Sequence, residues 1–259
     1  MTRITPLPAF DDNYIWLLRN TDATGVAVVD PGDEAPVIEV LERDGLTLDA
    51  ILITHHHGDH TGGIADLRAA FPAAQVLGPR DPRIRGLTRS LGEGDPVDLP
   101  GFAEPLRVLE VPGHTASHIA YLGRGALFCG DTLFAGGCGR VFDGTFAQLS
   151  GSLRRIAALP PETLVYCAHE YTLANLGFAL WVEPDNPALI EREREARRLR
   201  EAGLPTVPSR LALELATNPF LRTGEAGVIA AAEGFAGRPL RGHAEVFTAL
   251  RQWKDQRYD

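Results

Sequence analysis

The sequence predicts an α/β layered fold with a smaller helical domain at its C-terminal end. Two observations support this prediction: from about residue 14 to 167 short apolar runs alternate with helical patterns, and after about residue 171 the strand-like runs disappear. Strands mixed with helices over this length are typical of sheets that helices cover. The predicted domains are residues 1–171 and 172–259.

The individual elements follow from apolar runs broken by Gly, Pro and Asp and from helical periodicity. In the first domain the predicted strands are 14–18, 25–30, 48–54, 75–78, 106–111, 117–122, 126–130 and 164–167. Helices are predicted at 36–44, 63–70 and 145–159, where Pro36 begins the first and Pro160 ends the third. In the second domain they are predicted at 173–182, 187–202, 209–216 and 242–256.

Composition excludes several functional classes. The formal charge of −9 argues against binding a nucleic-acid backbone, and no stretch approaches the ~18 apolar residues of a membrane span. The first six residues lack the apolar core of a signal peptide, so we expect a cytoplasmic protein. Three cysteines without CxxC spacing predict buried, reduced thiols. We expect a monomer with no nucleic-acid or membrane partner.

Four histidines and an aspartate lie in one short segment, residues 54–60, directly after an apolar run. Imidazole and carboxylate are donors that zinc, iron and manganese accept. The predicted ligands in this segment are His55, His57, Asp59 and His60. They exceed what one tetrahedral ion needs, so the segment predicts a site for two metal ions. His56 lies between two of them and should point away if the segment is extended.

Three further candidate ligands each follow a predicted strand: His114, Asp131 and His169. Loops at one edge of the sheets converge in a layered α/β fold, so such side chains can meet. One partition gives His55, His57 and His114 to the first ion, gives Asp59, His60 and His169 to the second, and places Asp131 between them.

Other residues of similar type lack this context. His118 and His243 are predicted to be structural. The glycine-rich run 136–139 lacks the six-residue span and the Lys-Ser/Thr ending of a Walker phosphate loop. We therefore predict a flexible loop there, next to Asp131.

Residues 54–60, followed by 113–115, 130–132 and His169, resemble the signature of the metallo-β-lactamase superfamily. This resemblance implies an αββα sandwich with a dinuclear site at its edge, but it does not fix the substrate. Five further segments resemble the glyoxalase II family, the hydroxyacylglutathione hydrolases, over nearly the whole chain. They are 12–14, 133–140, 169–171, 218–222 and 251–255.

The resemblance implies a metal-dependent thioester hydrolase of methylglyoxal detoxification. Its substrate would be S-(2-hydroxyacyl)glutathione, chiefly S-D-lactoylglutathione, cleaved to glutathione and D-lactate by a hydroxide that bridges two divalent ions. Zinc is the expected metal, with iron or manganese as alternatives. Asp59 and Asp131 would be catalytic, the first by orienting the hydroxide and the second by fixing the metal spacing. Residues 1–171 would form the catalytic domain and 172–259 the substrate-binding domain.

The glutathione contacts also come from the resemblance. Arg251 and Lys254 would contact the glycine carboxylate end of glutathione, while Arg140 and Tyr171 would flank the cysteine portion. Two positions depart from the family pattern, because Arg140 stands where a lysine is common and Phe142 where a tyrosine is common. The first keeps the positive charge with another geometry and the second removes a hydroxyl, so their effect on glutathione affinity is open.

Four other functions compete with this interpretation. A persulfide dioxygenase would bind one iron with His55 or His57, His114 and Asp131, and would not need the C-terminal helical domain. A β-lactamase or RNA-processing nuclease of the same superfamily is disfavoured by the expected location and the acidic charge. A structural zinc protein is disfavoured because such sites are usually closed and rich in cysteine.

Overall fold

The computed structural model describes residues 2–20, 24–99, 102 and 104–258. Met1, which begins the first predicted domain, and Asp259, which ends the second, lie outside these ranges. The chain packs into two compact units. The first comprises Met1–Glu110 and Ser117–Gly130, and the second comprises Val111–Ala116 and Asp131–Asp259. The predicted domain boundary at residues 171 and 172 rests on a change of sequence pattern and stays a prediction.

The described residues of the first unit form ten strands and three helices. In chain order they are β1 (Thr2–Ala9), β2 (Asn13–Asn20), β3 (Gly25–Val29), α1 (Ala35–Asp44), β4 (Thr47–Leu52), α2 (Gly58–Thr61), α3 (Ile64–Ala70), β5 (Gln75–Pro79), β6 (Arg89–Leu91), β7 (Pro96–Val97), β8 (Leu106–Glu110), β9 (Ile119–Gly123) and β10 (Ala126–Gly130).

Strands β1 to β6 form one mixed sheet in the order of the chain. The first three pair antiparallel, whereas β3 to β6 pair in parallel. Parallel neighbours need a crossover, which α1 supplies between β3 and β4 and α3 between β4 and β5. Val37 of α1 and Leu67 of α3 are buried in the apolar core of this sheet. Because Val29 pairs with Leu52, the segments that follow β3 and β4 begin side by side.

The other strands of the first unit pair antiparallel in the order β10, β9, β8 and β7. Tyr121 of β9 is fully buried, and its hydroxyl donates a hydrogen bond to the carbonyl oxygen of Ile53 at 2.7 Å. A buried hydroxyl needs such a partner, so this contact joins the second group of strands to the end of β4.

The described residues of the second unit form four short strands and six helices. They are β11 (Leu133–Phe134), β12 (Gly137–Cys138), α4 (Phe146–Ala157), β13 (Leu164–Cys167), α5 (Thr172–Val182), α6 (Pro187–Glu201), β14 (Ser209–Arg210), α7 (Leu211–Thr217), α8 (Ala226–Ala236) and α9 (Gly242–Arg257). Strands β11 and β12 form one antiparallel pair, and β13 and β14 form another. Leu176 and Ala179 of α5 pack on Leu189 and Ala196 of α6. No helix in the described part of the chain has the length and apolar character needed to cross a bilayer.

The differences from the sequence prediction have local causes. The apolar pattern misses β1 because two of its eight residues are proline, and an edge strand such as β1 tolerates proline. The predicted helix 209–216 begins with the strand β14, and only then does α7 start. Helix α8 escapes prediction because its two glycines lower helix propensity and its apolar residues are not confined to one face.

Candidate metal centre

The segment after β4 enters the short helix α2 and gathers the four predicted ligands of the first unit. His55 Nε2 lies 3.0 Å from His57 Nδ1, and Asp59 Oδ2 lies 3.4 Å from His60 Nε2. The rings of His55 and His60 are 4.1 Å apart, and both residues are fully buried. The structure therefore brings these four side chains together in one small cluster, while their role as ligands stays a prediction.

Asp30 lies behind His60, and the sequence does not single it out. Its Oδ2 is 3.1 Å from His60 Nδ1, and its carboxylate accepts hydrogen bonds from Thr54 N at 2.8 Å and Thr54 Oγ1 at 2.7 Å. A carboxylate that meets Nδ1 fixes the ring and directs Nε2 toward a metal. The sequence offers one signal for Asp30, an acidic residue directly after β3. It does not show that β3 and β4 are neighbours, which only the fold reveals.

Asn13 holds the backbone and side chain of Asp59. Its Nδ2 donates to Asp59 O at 3.3 Å and to Asp59 Oδ2 at 3.2 Å. Asp59 keeps 41% of its side chain exposed, unlike the buried His60 beside it. Asn13 thus orients Asp59, a predicted ligand whose side chain is partly exposed to solvent.

Two further histidines border the cluster. His56 Nδ1 lies 3.6 Å from Asp81 Oδ2. The Arg83 guanidinium, which donates hydrogen bonds to this carboxylate, holds the pKa of Asp81 well below its usual range. His118, predicted to be structural, is buried and stacks on the His55 ring at 4.6 Å. It therefore packs against a predicted ligand, which its sequence context does not reveal.

In the second unit, Asp131 lies between two histidines. Its Oδ2 is 3.5 Å from His114 Nε2, and its Oδ1 is 3.4 Å from His169 Nε2. All three side chains are buried. Because each histidine meets a different oxygen of the carboxylate, Asp131 can bridge two ions of which each histidine binds one. Imidazole and carboxylate donors in this arrangement fit zinc, iron or manganese.

Both histidines have supporting contacts away from Asp131. His114 Nδ1 lies 2.7 Å from the carbonyl oxygen of Arg140, and a backbone carbonyl at Nδ1 orients Nε2 toward a metal. The His169 ring stacks in parallel on Tyr171 at 4.7 Å, and Phe142 packs edge-on against His114 at 5.2 Å. The rings are therefore fixed before any ion binds.

Residues 133–138 correct the prediction of a flexible loop next to Asp131. They form the buried antiparallel hairpin of β11 and β12. Gly136 has a φ of +70°, and a Cβ there would lie 2.7 Å from Leu176 Cδ2. A Cβ at Gly139 would lie 2.0 Å from the carbonyl oxygen of Asp131. The glycines allow close packing, which a run of glycines in a sequence does not distinguish from flexibility.

The cysteines do not supply a nucleophile. All three carry buried thiols, as the sequence predicts. Burial raises the pKa of Cys138 to about 11 and that of Cys167 to about 12. Both thiols are therefore protonated at neutral pH, whereas a reactive cysteine needs a thiolate.

The four predicted glutathione-binding residues fall into two groups. Arg140 and Tyr171 are exposed, and Arg140 Nε lies 3.3 Å from Asp255 Oδ1. Arg251 and Lys254 are buried, and Arg251 is only 1% exposed while it donates to Asp255 Oδ1 at 2.9 Å. Asp255 therefore links an exposed and a buried arginine, and the role of all four residues in binding glutathione stays a prediction.

Two family models match successive parts of the chain. Residues 9–169 match the metallo-β-lactamase superfamily, and residues 170–257 match the hydroxyacylglutathione hydrolase C-terminus. A hydroxyacylglutathione hydrolase of Alkalilimnicola ehrlichii is 57% identical over 99% of this chain and 100% of its own length.

Solved structures show the same fold. The BLEG-1 B3 metallo-β-lactamase is 24% identical with a TM-score of 0.63, over 85% of this chain and 99% of its own. TTHA1623 in a di-iron-bound form is 26% identical with a TM-score of 0.60, over 85% of this chain and 100% of its own. The predicted α/β fold of metallo-β-lactamase type with a C-terminal helical region is thereby confirmed.

Proposed function

Because this chain belongs to the hydroxyacylglutathione hydrolase family of the metallo-β-lactamase superfamily, we propose that it hydrolyses thioesters of glutathione. The substrate is S-(2-hydroxyacyl)glutathione, chiefly S-D-lactoylglutathione, and the products are glutathione and D-lactate, as in methylglyoxal detoxification. The observation that carries this proposal is the match of the helical region 170–257, which the superfamily at large does not share.

In this proposal the seven predicted ligands together bind one pair of divalent ions. Their chemistry supports it, because the donors are imidazoles and carboxylates without sulfur. The di-iron form of TTHA1623 also supports two ions. Zinc is the proposed metal, with iron or manganese as alternatives. The first ion takes His55, His57 and His114, the second takes Asp59, His60 and His169, and Asp131 lies between them.

When bound, the ions supply a hydroxide nucleophile at neutral pH, because coordination lowers the pKa of water to about 7, and they stabilise the oxyanion. The chain positions these partners. Asp131 would hold the ions through its two carboxylate oxygens, and Asp59, whose side chain accepts a hydrogen bond from Asn13 Nδ2, would orient the nucleophile. Cys138 and Cys167 do not act as nucleophiles, since burial raises the pKa of both thiols and keeps them protonated.

Glutathione carries two carboxylates, and the proposed contacts match that charge. Arg140 exposes 51% of its side chain and presents a guanidinium suited to bidentate carboxylate binding. Tyr171 lies beside His169 and flanks the cysteine portion of the substrate. Arg251 and Lys254, both buried in this structure, contact the glycine end of glutathione.

The alternative of a persulfide dioxygenase is not favoured. A single iron would leave Asp59, His60 and His169 without a function, although the first two converge in the same cluster. A relative that matches over its full length is named as a hydrolase. Three buried thiols support a reducing compartment, and we propose a cytoplasmic monomer without nucleic-acid or membrane partners.

An assay of the purified protein tests this function. S-D-lactoylglutathione is supplied, thioester loss is followed, and metals per chain are measured in the same sample. We expect thioester loss at two metals per chain and no oxygen uptake with glutathione persulfide. Absence of thioester loss at two metals per chain would reject the function and keep the metal centre.

Asp30→Asn should weaken metal binding, because it removes the negative charge of the carboxylate whose Oδ2 lies 3.1 Å from His60 Nδ1. The expected loss of metal affinity is ~10–100-fold, the usual effect of removing a partner behind a ligand. Competition with a chelator measures it. Asp33→Asn is the matched control, since the Asp33 carboxylate accepts a hydrogen bond from the backbone N of Ala35 at 2.9 Å and is not one of the predicted ligands. Equal affinity of Asp30→Asn and wild type would refute this role.

A further inference from the structure

The hairpin of β11 and β12 connects Asp131 with the carbonyl group of Arg140, and both belong to the candidate metal centre. It starts immediately after Asp131 and closes with the hydrogen bond from Gly139 N to Thr132 O at 3.3 Å. The next residue, Arg140, presents its carbonyl oxygen to His114 Nδ1. A shift of this hairpin would therefore move both the backbone of Asp131 and the support of His114.

The outward backbone groups of such a short hairpin need partners, since buried N–H and C=O groups are costly to leave unsatisfied. Asn218 Nδ2 donates to Gly137 O at 2.9 Å and to Phe134 O at 3.3 Å. Asn175 Nδ2 donates to Ala135 O at 3.2 Å. The helices thus hold carbonyl groups on both strands and in the turn.

One acidic and one basic side chain also form hydrogen bonds with the backbone of the hairpin. Glu214 Oε2 accepts a hydrogen bond from Gly136 N at 2.9 Å, and Arg251 Nη1 donates to Cys138 O at 3.2 Å. Glu214 is completely buried. It also accepts from Arg192 Nη2 and from Ser209 Oγ, so its own position is fixed by a network of charged and polar groups.

We propose that Asn218, Glu214 and Asn175 are positioning residues that hold the hairpin, and with it Asp131 and the carbonyl of Arg140, in the geometry that binds metal. The helical region then organises the metal centre as well as binding substrate. This inference rests on the proposed function in one respect, namely that Asp131 and His114 are metal ligands.

Asn218→Asp tests the inference with an isosteric change. The variant keeps the acceptor for Phe220 N but loses both donated hydrogen bonds to the hairpin, and it places a carboxylate beside Glu214. We expect chelator to remove Co²⁺ from the cobalt-loaded protein ~10-fold faster or more, with a changed visible absorption band. With S-D-lactoylglutathione, kcat should fall while KM stays within about twofold.

Asn186→Asp is the matched control. Asn186 likewise donates a side-chain hydrogen bond to a backbone carbonyl, that of Ala216 at 3.0 Å, but it does not touch the hairpin. Its rate of Co²⁺ loss and its spectrum should equal those of wild type. If Asn218→Asp does not fold, Asn175→Ala removes a single contact and should shift the same readouts in the same direction. Wild-type metal loss and an unchanged spectrum in the folded variants would overturn the inference.

The metal readouts use no substrate, which separates this inference from the proposed function. Wild-type protein that holds two metals but leaves S-D-lactoylglutathione intact would reject the function, and the comparison of metal loss would still decide the positioning role. Wild-type protein that binds no Co²⁺ would overturn both.

Discussion

Asp131→Ala should lower thioester turnover on the order of 10³-fold and reduce the metal content of the protein by about one ion per chain. The reason is that both oxygens of this carboxylate are engaged, one facing His114 and the other His169. Steady-state kinetics with S-D-lactoylglutathione and elemental analysis of the same sample measure the two effects.

Asp131→Asn keeps the shape of the side chain and should also lose metal, because an amide is a poor bridge between two cations. The control is Asp185→Ala, which removes an exposed aspartate of the same unit and should leave rate and metal content unchanged. Full metal occupancy together with a normal rate in the Asp131 variants would contradict the bridging role.

Arg192→Ala should lower the free energy of unfolding by about 3–5 kcal/mol, the range for removing one partner of a buried ion pair. Arg192 donates to Glu214 and, at 2.6 Å, to Thr217 Oγ1, and both acceptors are completely buried. The variant leaves the Glu214 carboxylate without its counter-charge. Urea unfolding followed by circular dichroism measures the loss.

Arg194→Ala is the control on the same helix. Arg194 pairs with Glu191, but both side chains are more than two-thirds exposed, so its removal should cost less than about 1 kcal/mol. Similar losses for the two variants would show that burial of Arg192 does not strengthen its contribution. Because Glu214 also accepts from Gly136 N, Arg192→Ala should in addition speed the loss of bound metal.

The candidate ligands can be predicted from the sequence because their signal is local. Histidines and an aspartate of the right chemistry stand directly after apolar runs, and His114, Asp131 and His169 follow the same rule. Asp30 has no such signal, since its relation to His60 depends on the pairing of β3 with β4. Glu214 meets Gly136 across 78 residues of chain, a separation that no local pattern encodes.

The elements of the fold likewise divide into those that a local sequence pattern predicts and those that it does not. Alternation of apolar runs and helical periods predicts the layered sheets, because each buried face leaves its period in the sequence. The hairpin at 133–138 leaves no such period, since its residues are buried on both sides and its glycines serve close packing. Strand β1 carries prolines that only its place at the sheet edge makes acceptable.

The main chain and the side chain of Arg140 have separate roles, since its carbonyl oxygen contacts His114 Nδ1. The main chain of residue 140 orients a ligand, whereas its side chain reaches Asp255 at the surface. Exchange of arginine for lysine, or for another side chain, leaves the carbonyl oxygen of residue 140 in place, because every amino acid carries one. Variation at residue 140 can therefore change the contact with Asp255 while the support of His114 Nδ1 is kept.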